Sequence, residues 1–169
     1  MDSLLKVSII VPTLNEAQGL TETLTQIQQL LPYELVVSDG GSHDDTLEIA
    51  EEFTEHLVKG SAGRALQMNA GARVATGDIF LFLHADSRIE PASYEKMLHS
   101  LKDSEKIGGA FSLCIDSDKW SLRLISRLVN LRSKYIGMAY GDQAFFVKNS
   151  IFQQMNGFAE LPICEDIDF

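Results

Sequence analysis

Acidic side chains and one histidine stand directly after apolar runs in this 169-residue chain, and those are the positions where chemistry is expected. Asp86 follows Ile-Phe-Leu-Phe-Leu at 79–83, so its carboxylate stands at the rim of a dry core. An oxygen donor there suits Mg2+ or Mn2+, with the remaining ligands supplied by a substrate pyrophosphate and water. Read alone, Asp86 serves equally as a strand-end or helix-capping carboxylate. His84 lies two residues earlier on the same side of the strand. It offers a ring nitrogen to a nucleotide, a phosphate or a metal, or a hydrogen bond to backbone.

Asp39 ends a second apolar run and precedes Gly40 and Gly41, where a missing Cβ lets a ligand approach the main chain. Its carboxylate can accept from a base N–H or a ribose hydroxyl; a turn-forming Asp is the alternative. Ser42, Asp44 and Thr46 read as caps of the next helix. Arg64 and Arg73 are cations in a small, apolar helix, suited to a diphosphate or to a structural carboxylate. Glu165, Asp166 and Asp168 crowd three carboxylates near a helix start, where one can act as a general base or all can complement the helix dipole.

The elements that must position these groups alternate in type. Residues 7–11, 35–37, 56–58 and 79–83 read as strands, with later strands at 109–115 and 144–147. Helical spacing joins Leu20, Leu24, Ile27 and Leu31, and Pro32 stops that helix. Helices are also expected at 46–53, 62–75, 91–101 and 120–131. The small residues of 62–75 suggest close packing on a sheet. Strand-helix alternation predicts an α/β fold with a Rossmann-like, mainly parallel sheet flanked by helices. In such sheets ligands lie beyond the carboxyl ends of the strands. Asn15-Glu16, Asp39 and His84-Ala85-Asp86 all fall at such ends.

The bulk properties narrow the function classes. The length suits one domain spanning 1–169. A net charge of −10 argues against nucleic-acid binding, which needs Lys and Arg against phosphates. No apolar stretch approaches the length of a membrane span, and 1–6 is too short an apolar segment for a signal peptide. Cys114 and Cys164 are read as free thiols, which fits a cytoplasmic location. Arg123, Arg127 and Arg132 among the leucines of 122–131 allow peripheral membrane contact or a homo-oligomer, against an ordinary core-facing helix with a basic outer side.

Taken in order, the strand-end segments resemble the motifs of family 2 glycosyltransferases with the GT-A fold, from residue 7 to residue 169. Val11-Pro12-Thr13-Leu14-Asn15-Glu16 is similar to the opening nucleotide-binding segment, and Asp39-Gly40-Gly41-Ser42-His43-Asp44-Asp45-Thr46 to the acidic, glycine-containing loop. Asn69, Gly71 and Gly77-Asp78 resemble the helix leading into the metal strand. His84-Ala85-Asp86 stands at the Asp-x-Asp motif, and Glu165-Asp166 at the Glu-Asp motif. The run 141–147 is similar to a small, bacterial-type soluble branch, with Asp142 or Gln143 at the donor sugar.

The resemblance implies an inverting, hexosyltransferase-like enzyme using a nucleotide-diphosphate sugar, UDP-linked by expectation, with Mg2+ or Mn2+ and an unknown acceptor. It places Pro12, Asn15 and Glu16 by the nucleotide, Asp39 at the base, Arg64 at the base or diphosphate, and Asp86 on the metal. Asp166, beside Glu165, becomes the base that deprotonates the acceptor hydroxyl. His84 replaces the first Asp of Asp-x-Asp, and elements that usually follow the Glu-Asp motif are expected beyond Phe169. A sugar nucleotidyltransferase would need a glycine-rich, basic loop at 14–19, which holds one Gly and no basic residue. A catalytically inactive nucleotide-binding or assembly module is the reading from another class. A dinucleotide oxidoreductase is disfavoured because no G-x-G-x-x-G follows the first strand.

Overall fold

The computed structural model describes residues 5–103, 105–112 and 144–159. In chain order the elements are β1 (Val7–Thr13), α1 (Ala17–Gln29), β2 (Glu34–Asp39), α2 (Thr46–Glu51), β3 (His56–Lys59), α3 (Arg64–Val74), β4 (Ile79–Phe82), α4 (Pro91–Ser100), β5 (Gly108–Ala110), β6 (Phe145–Lys148) and α5 (Asn149–Gln154). The strands form one sheet in the order β3-β2-β1-β4-β6-β5. Strands β1 to β4 run parallel, and β6 runs antiparallel to both β4 and β5. This is the mainly parallel α/β sheet expected from the alternation of elements.

Side chains of a strand point alternately to its two faces, and both faces of this sheet are covered. Val7, Ile9 and Val11 join Val37, Ile79, Leu81 and Leu83 in a core against α1, α2 and α4. Ile10, Val36, Phe80 and Phe82 face the other way, onto α3 and α5. That double burial explains why β1 and β4 read as unbroken apolar runs rather than alternating ones. The close packing of α3 rests on Gly71, where an added Cβ would come 2.5 Å from Ile10 Cγ2.

Helix α1 departs from its expected course at both ends. It starts at Ala17, and a kink at Gln18 and Gly19 follows, with Gly19 at φ +98°. Leu31, counted on the apolar face from spacing, is instead 86% exposed with φ +51°. Leu31 stands just past the C-cap Leu30 in the left-handed conformation that commonly closes a helix, and Pro32 cannot continue it. Helix α5 was not foreseen, being too short to show a period. The helix expected at 120–131, residues 113–115 of the expected strand, Cys114 and Cys164 lie outside the described residues. Among the described residues, no helix is long and apolar enough to cross a membrane.

Candidate functional site

The strand order reverses direction at β1, which has β2 on one side and β4 on the other. A parallel sheet opens a crevice at such a switch point, because the loops leaving the two neighbouring strands turn to opposite faces. Here β1 pairs with β4 only from Val7 to Ile10, while it pairs with β2 as far as Thr13. The last tie between them is Leu83 N–H donating to Ile10 C=O at 3.0 Å. Pro12 therefore lies past the ladder with β4, half-buried, where a missing N–H is tolerated. Glu16 leaves β1 on one side of the opening, and His84 and Asp86 leave β4 on the other.

Glu16 and Asp86 feel each other across this opening. Burial pushes the Glu16 carboxyl above its ordinary value, and the negative charges of Asp86 and then Asp44 push it in the same direction. Asp86 itself is exposed in a turn closed by Ser87 N–H donating to His84 C=O at 3.0 Å, with His84 half-buried. Arg88, in the same loop, pairs with Glu22 of α1 at 2.8 Å. Among the described residues no group of three His, Cys, Asp or Glu is arranged to hold a metal ion. A cation on Asp86 would thus take most of its ligands from a bound diphosphate and water, and the all-oxygen donor chemistry of Asp86 and Glu16 fits Mg2+ or Mn2+.

Asp39 has a different environment. It is 1% exposed, and its carboxylate accepts from four donors. Thr13 Oγ1 and Ser42 Oγ donate to Oδ1 at 3.1 and 2.5 Å, and the Gly41 and Ser42 N–H groups both donate to Oδ2 at 2.8 Å. Burial works to raise this carboxyl, but the bonds from Ser42, Gly41 and Thr13 outweigh it and hold the group below its ordinary range. Asp39 thus organises the loop after β2, with Gly41 at φ +94°.

That loop is laced to the loop after β1. Asn15 sits at φ +55°; its N–H donates to Ser42 Oγ and its side-chain oxygen accepts from His43 N–H, both at 2.8 Å. Glu16 N–H donates to Thr46 Oγ1 at 2.8 Å, and Ala17 N–H to Asp44 at 3.2 Å. Of Ser42, Asp44 and Thr46, which were expected to cap α2, Asp44 does so: its Oδ1 accepts from Thr46 N–H at 3.1 Å, while Asp45 makes no side-chain cap bond. The oxygens of all three also fix the backbone of 15–17. Asp44, held below its ordinary value by Thr46 first, is fully exposed.

Arg64 opens α3 and is exposed, at the same edge of the sheet as the β2 loop. Arg73 lies in the last turn, at the far end of that helix. The start of α3 is locked by Gln67, which spacing alone did not single out. Gln67 is 5% exposed, and its Nε2 donates to Thr13 C=O at 2.6 Å and to Ser38 C=O at 3.2 Å. Its Oε1 accepts from Gly63 N–H at 3.2 Å. A Cβ on Gly40 would come 2.9 Å from this side chain. The signal was a polar residue on the same helix face as Met68, Gly71 and Ala72. Asp142, Gln143, Glu165 and Asp166 lie outside the described residues.

Residues 8–156 match the sequence family described as Glycosyl transferase family 2. A dolichol-phosphate mannosyltransferase from Pyrococcus furiosus is 34% identical over 112 residues, covering 61% of this chain and 32% of that protein. Two solved structures share the fold. One is a mannosyltransferase from Pyrobaculum calidifontis in complex with GDP-Man and Mn2+, with a TM-score of 0.69 and 24% identity over 98% of this chain and 50% of that one. The other is glucosyl-3-phosphoglycerate synthase from Mycobacterium tuberculosis in complex with Mn2+, UDP and glucosyl-3-phosphoglycerate, with a TM-score of 0.64 and 18% identity over 88% and 58%. The chain therefore spans about a third to somewhat over half of the length of these proteins.

Proposed function

The chain belongs to glycosyl transferase family 2, and from that premise we propose that it transfers a sugar from a nucleotide-diphosphate donor to an acceptor hydroxyl. The observation that carries this reading is the switch point between β1 and β4, with Glu16 in electrostatic reach of Asp86 and the Asp39 loop beside them. Two carboxylates that repel each other across an opening form a field that favours a cation. A UDP-linked donor is our choice; GDP is the alternative, since the similar structures hold one or the other.

In this reading Asp86 holds the cation, and Glu16 and Pro12 stand by the nucleoside. Asn15 acts through the loop it fixes, and Asp39 through the Gly41-Ser42 backbone beside the base. Arg64, at the start of α3, faces the base or diphosphate; Asp142 or Gln143 meets the donor sugar. A bound Mg2+ or Mn2+ would stabilise negative charge on the departing diphosphate. Asp166, assisted by Glu165, takes the proton of the acceptor hydroxyl. The oxygen then bonds to the anomeric carbon as the bond to phosphate breaks, and the electron pair leaves with the nucleoside diphosphate. One such displacement inverts the anomeric centre.

Calorimetry with UDP and GDP, with and without Mn2+, tests the donor half of the reading. UDP binding should be Mn2+-dependent and weaken at least about tenfold in Asp86→Ala, the scale of losing one ion contact. Metal-independent binding that ignores Asp86→Ala overturns the metal assignment. Asp166→Asn should abolish sugar-nucleotide turnover with UDP binding retained; unchanged turnover removes Asp166 as the base.

A further inference from the structure

Gln67, the fourth residue of α3, is buried, and both ends of its carboxamide are in use. Nε2 donates to Thr13 C=O at 2.6 Å and to Ser38 C=O at 3.2 Å, and Oε1 accepts from Gly63 N–H at 3.2 Å. A buried carboxamide is costly unless its polar atoms are bonded, and these bonds satisfy it. Packing α3 on the sheet does not require such a group. Met68 and Ala72 do that with apolar side chains, and Gly71 by close approach to Ile10. What Gln67 adds is a junction between ends that are distant in sequence. Thr13 closes β1, Ser38 stands next to the end of β2, and Gly63 precedes α3.

These are places where the sheet no longer supplies ties. The β1–β2 pairing stops at Thr13 and Asp39, and β1 has left β4 after Ile10. Beyond it, Gly40 N–H donates to Thr13 C=O at 2.9 Å, so that carbonyl accepts from both Gly40 and Gln67. The carboxamide also takes the space a side chain at 40 would need. A Cβ there would come 2.9 Å from Gln67 Cδ and 3.1 Å from Ala62 Cα. Gly41 differs: it is exposed at φ +94°, and an added Cβ would meet only Gly60 O, at 3.9 Å. Spacing assigns both glycines the same job, close approach of a ligand to the main chain. Gly40 is instead small because Gln67 lies against it, and Gly41 keeps that job.

On the glycosyltransferase reading, the segments that Gln67 joins carry Pro12, Asn15 and Glu16, then Asp39, then Arg64, the groups set around the nucleoside. We propose that Gln67 is a positioning residue for the nucleoside. It holds the loop after β1, the loop after β2 and the start of α3 in the arrangement that receives the donor, from a buried place behind them. The proposal rests on that reading for its ligand and on the carboxamide bonds for its geometry. Loops that are ordered beforehand need little further ordering on binding. Loss of the junction therefore shows in affinity rather than in the chemical step.

Hydrogen exchange read by mass spectrometry on the full chain tests the geometry. Gln67→Met keeps the length of the side chain and removes the carboxamide. It should speed exchange about tenfold or more in peptides covering 13–17, 39–43 and 60–64 together, while 76–79 at the opposite end of the sheet stays protected. Glu34→Gln disturbs the acceptor of the Thr76 and Gly77 N–H groups and should show the reverse pattern. Gly40→Ala crowds the same carboxamide with Gln67 still in place and should loosen the same three segments.

Calorimetry with UDP and Mn2+ and steady-state kinetics test the ligand. Gln67→Met should weaken UDP binding about tenfold or more and raise the donor KM by a similar factor, with kcat within about threefold. Glu34→Gln should leave UDP affinity unchanged. Unchanged UDP affinity in Gln67→Met, or in Gly40→Ala where Gln67→Met does not fold, overturns the proposal. So does exchange that rises in one of the three segments alone, or an equal loss of affinity in Glu34→Gln. A wild type that binds neither UDP nor GDP counts against the proposed function instead, and the exchange result still decides whether Gln67 holds the three segments.

Discussion

Asp39→Ala separates two jobs that one carboxylate could hold. The substitution leaves the N–H groups of Gly41 and Ser42 and the buried hydroxyl of Thr13 without their acceptor. An unsatisfied buried donor costs about 1–3 kcal/mol, and three would approach the top of a wide range. Gly41 is exposed and Ser42 half-buried, so water replaces part of the loss. Roughly 3–4 kcal/mol remains, which for a chain of this size lowers the melting temperature by about 10 °C. Asp39→Asn keeps one acceptor oxygen and should lose about half as much. The folded carboxyl lies below its ordinary value of 3.8, so its contribution is present above that value and is lost as pH falls through the folded one. The gap between wild type and Asp39→Ala should accordingly be full at pH 7 and narrow below about pH 4. Thermal and urea unfolding at both pH values provide the measurement. A variant that melts with the wild type but no longer binds UDP would refute the reasoning, and would make Asp39 a direct ligand contact rather than the organiser of its loop.

Three further outcomes follow from the same structure. Glu16→Gln should raise the melting temperature of the ligand-free protein at pH 7 and not at pH 4, because a carboxyl whose folded value is raised destabilises progressively as pH rises past 4.5; it should also weaken Mn2+-dependent UDP binding, and a stabilised variant with unimpaired binding would contradict a cation site there. Gly71→Ala places a Cβ against Ile10 in the core and should cost about 1–3 kcal/mol in urea unfolding, whereas Gly60→Ala, which meets nothing, should be neutral; equal stabilities would refute the close approach of α3. Glu34, at the opposite end of the sheet, accepts from Ser8, Thr76 and Gly77 and is held below its ordinary 4.5 despite burial; Glu34→Gln should destabilise at pH 7 and lose that effect as pH falls below about 4.5, with no change in UDP affinity at any pH.

The sheet was legible because its strands are buried on both faces. Ile9-Ile10-Val11 and Phe80-Leu81-Phe82 have nowhere to alternate, so they stand out as apolar runs. Placing Glu16, Asp39 and Asp86 at one edge needed only the rule that parallel strands end together. Their hydrogen bonds were not legible. Ser42, Asp44 and Thr46 have the composition of a helix cap, and the same oxygens bond across to 15–17 only because β1 and β2 lie side by side. Gln67 was hidden for a similar reason, since its acceptors belong to two strands distant in sequence. Asn69 was noticed as part of a motif, but its partner Phe158 is 89 residues away in sequence. Leu31 failed in the other direction, because it closes the helix in a left-handed conformation where spacing had continued it.

Asp39 and Glu16, two carboxylates at this edge of the sheet, differ in a way that bears on their use. Asp39 has spent its lone pairs on Thr13, Gly41 and Ser42 and is held as an anion by them. Glu16 is left with a raised carboxyl whose neighbours are negative. An arrangement built for stability alone would not keep Glu16 within electrostatic reach of Asp86, since the Asp86 charge makes ionisation of Glu16 harder. The Asp39 loop helps to sustain that unfavourable arrangement, because side chains of residues 42–46 fix the backbone at Asn15, Glu16 and Ala17. On the proposed function, a cation held at Asp86 would relieve the repulsion, and a nucleoside diphosphate would supply its remaining oxygen ligands. Binding of the two should therefore be cooperative, each tightening the other by the same factor, as linkage requires.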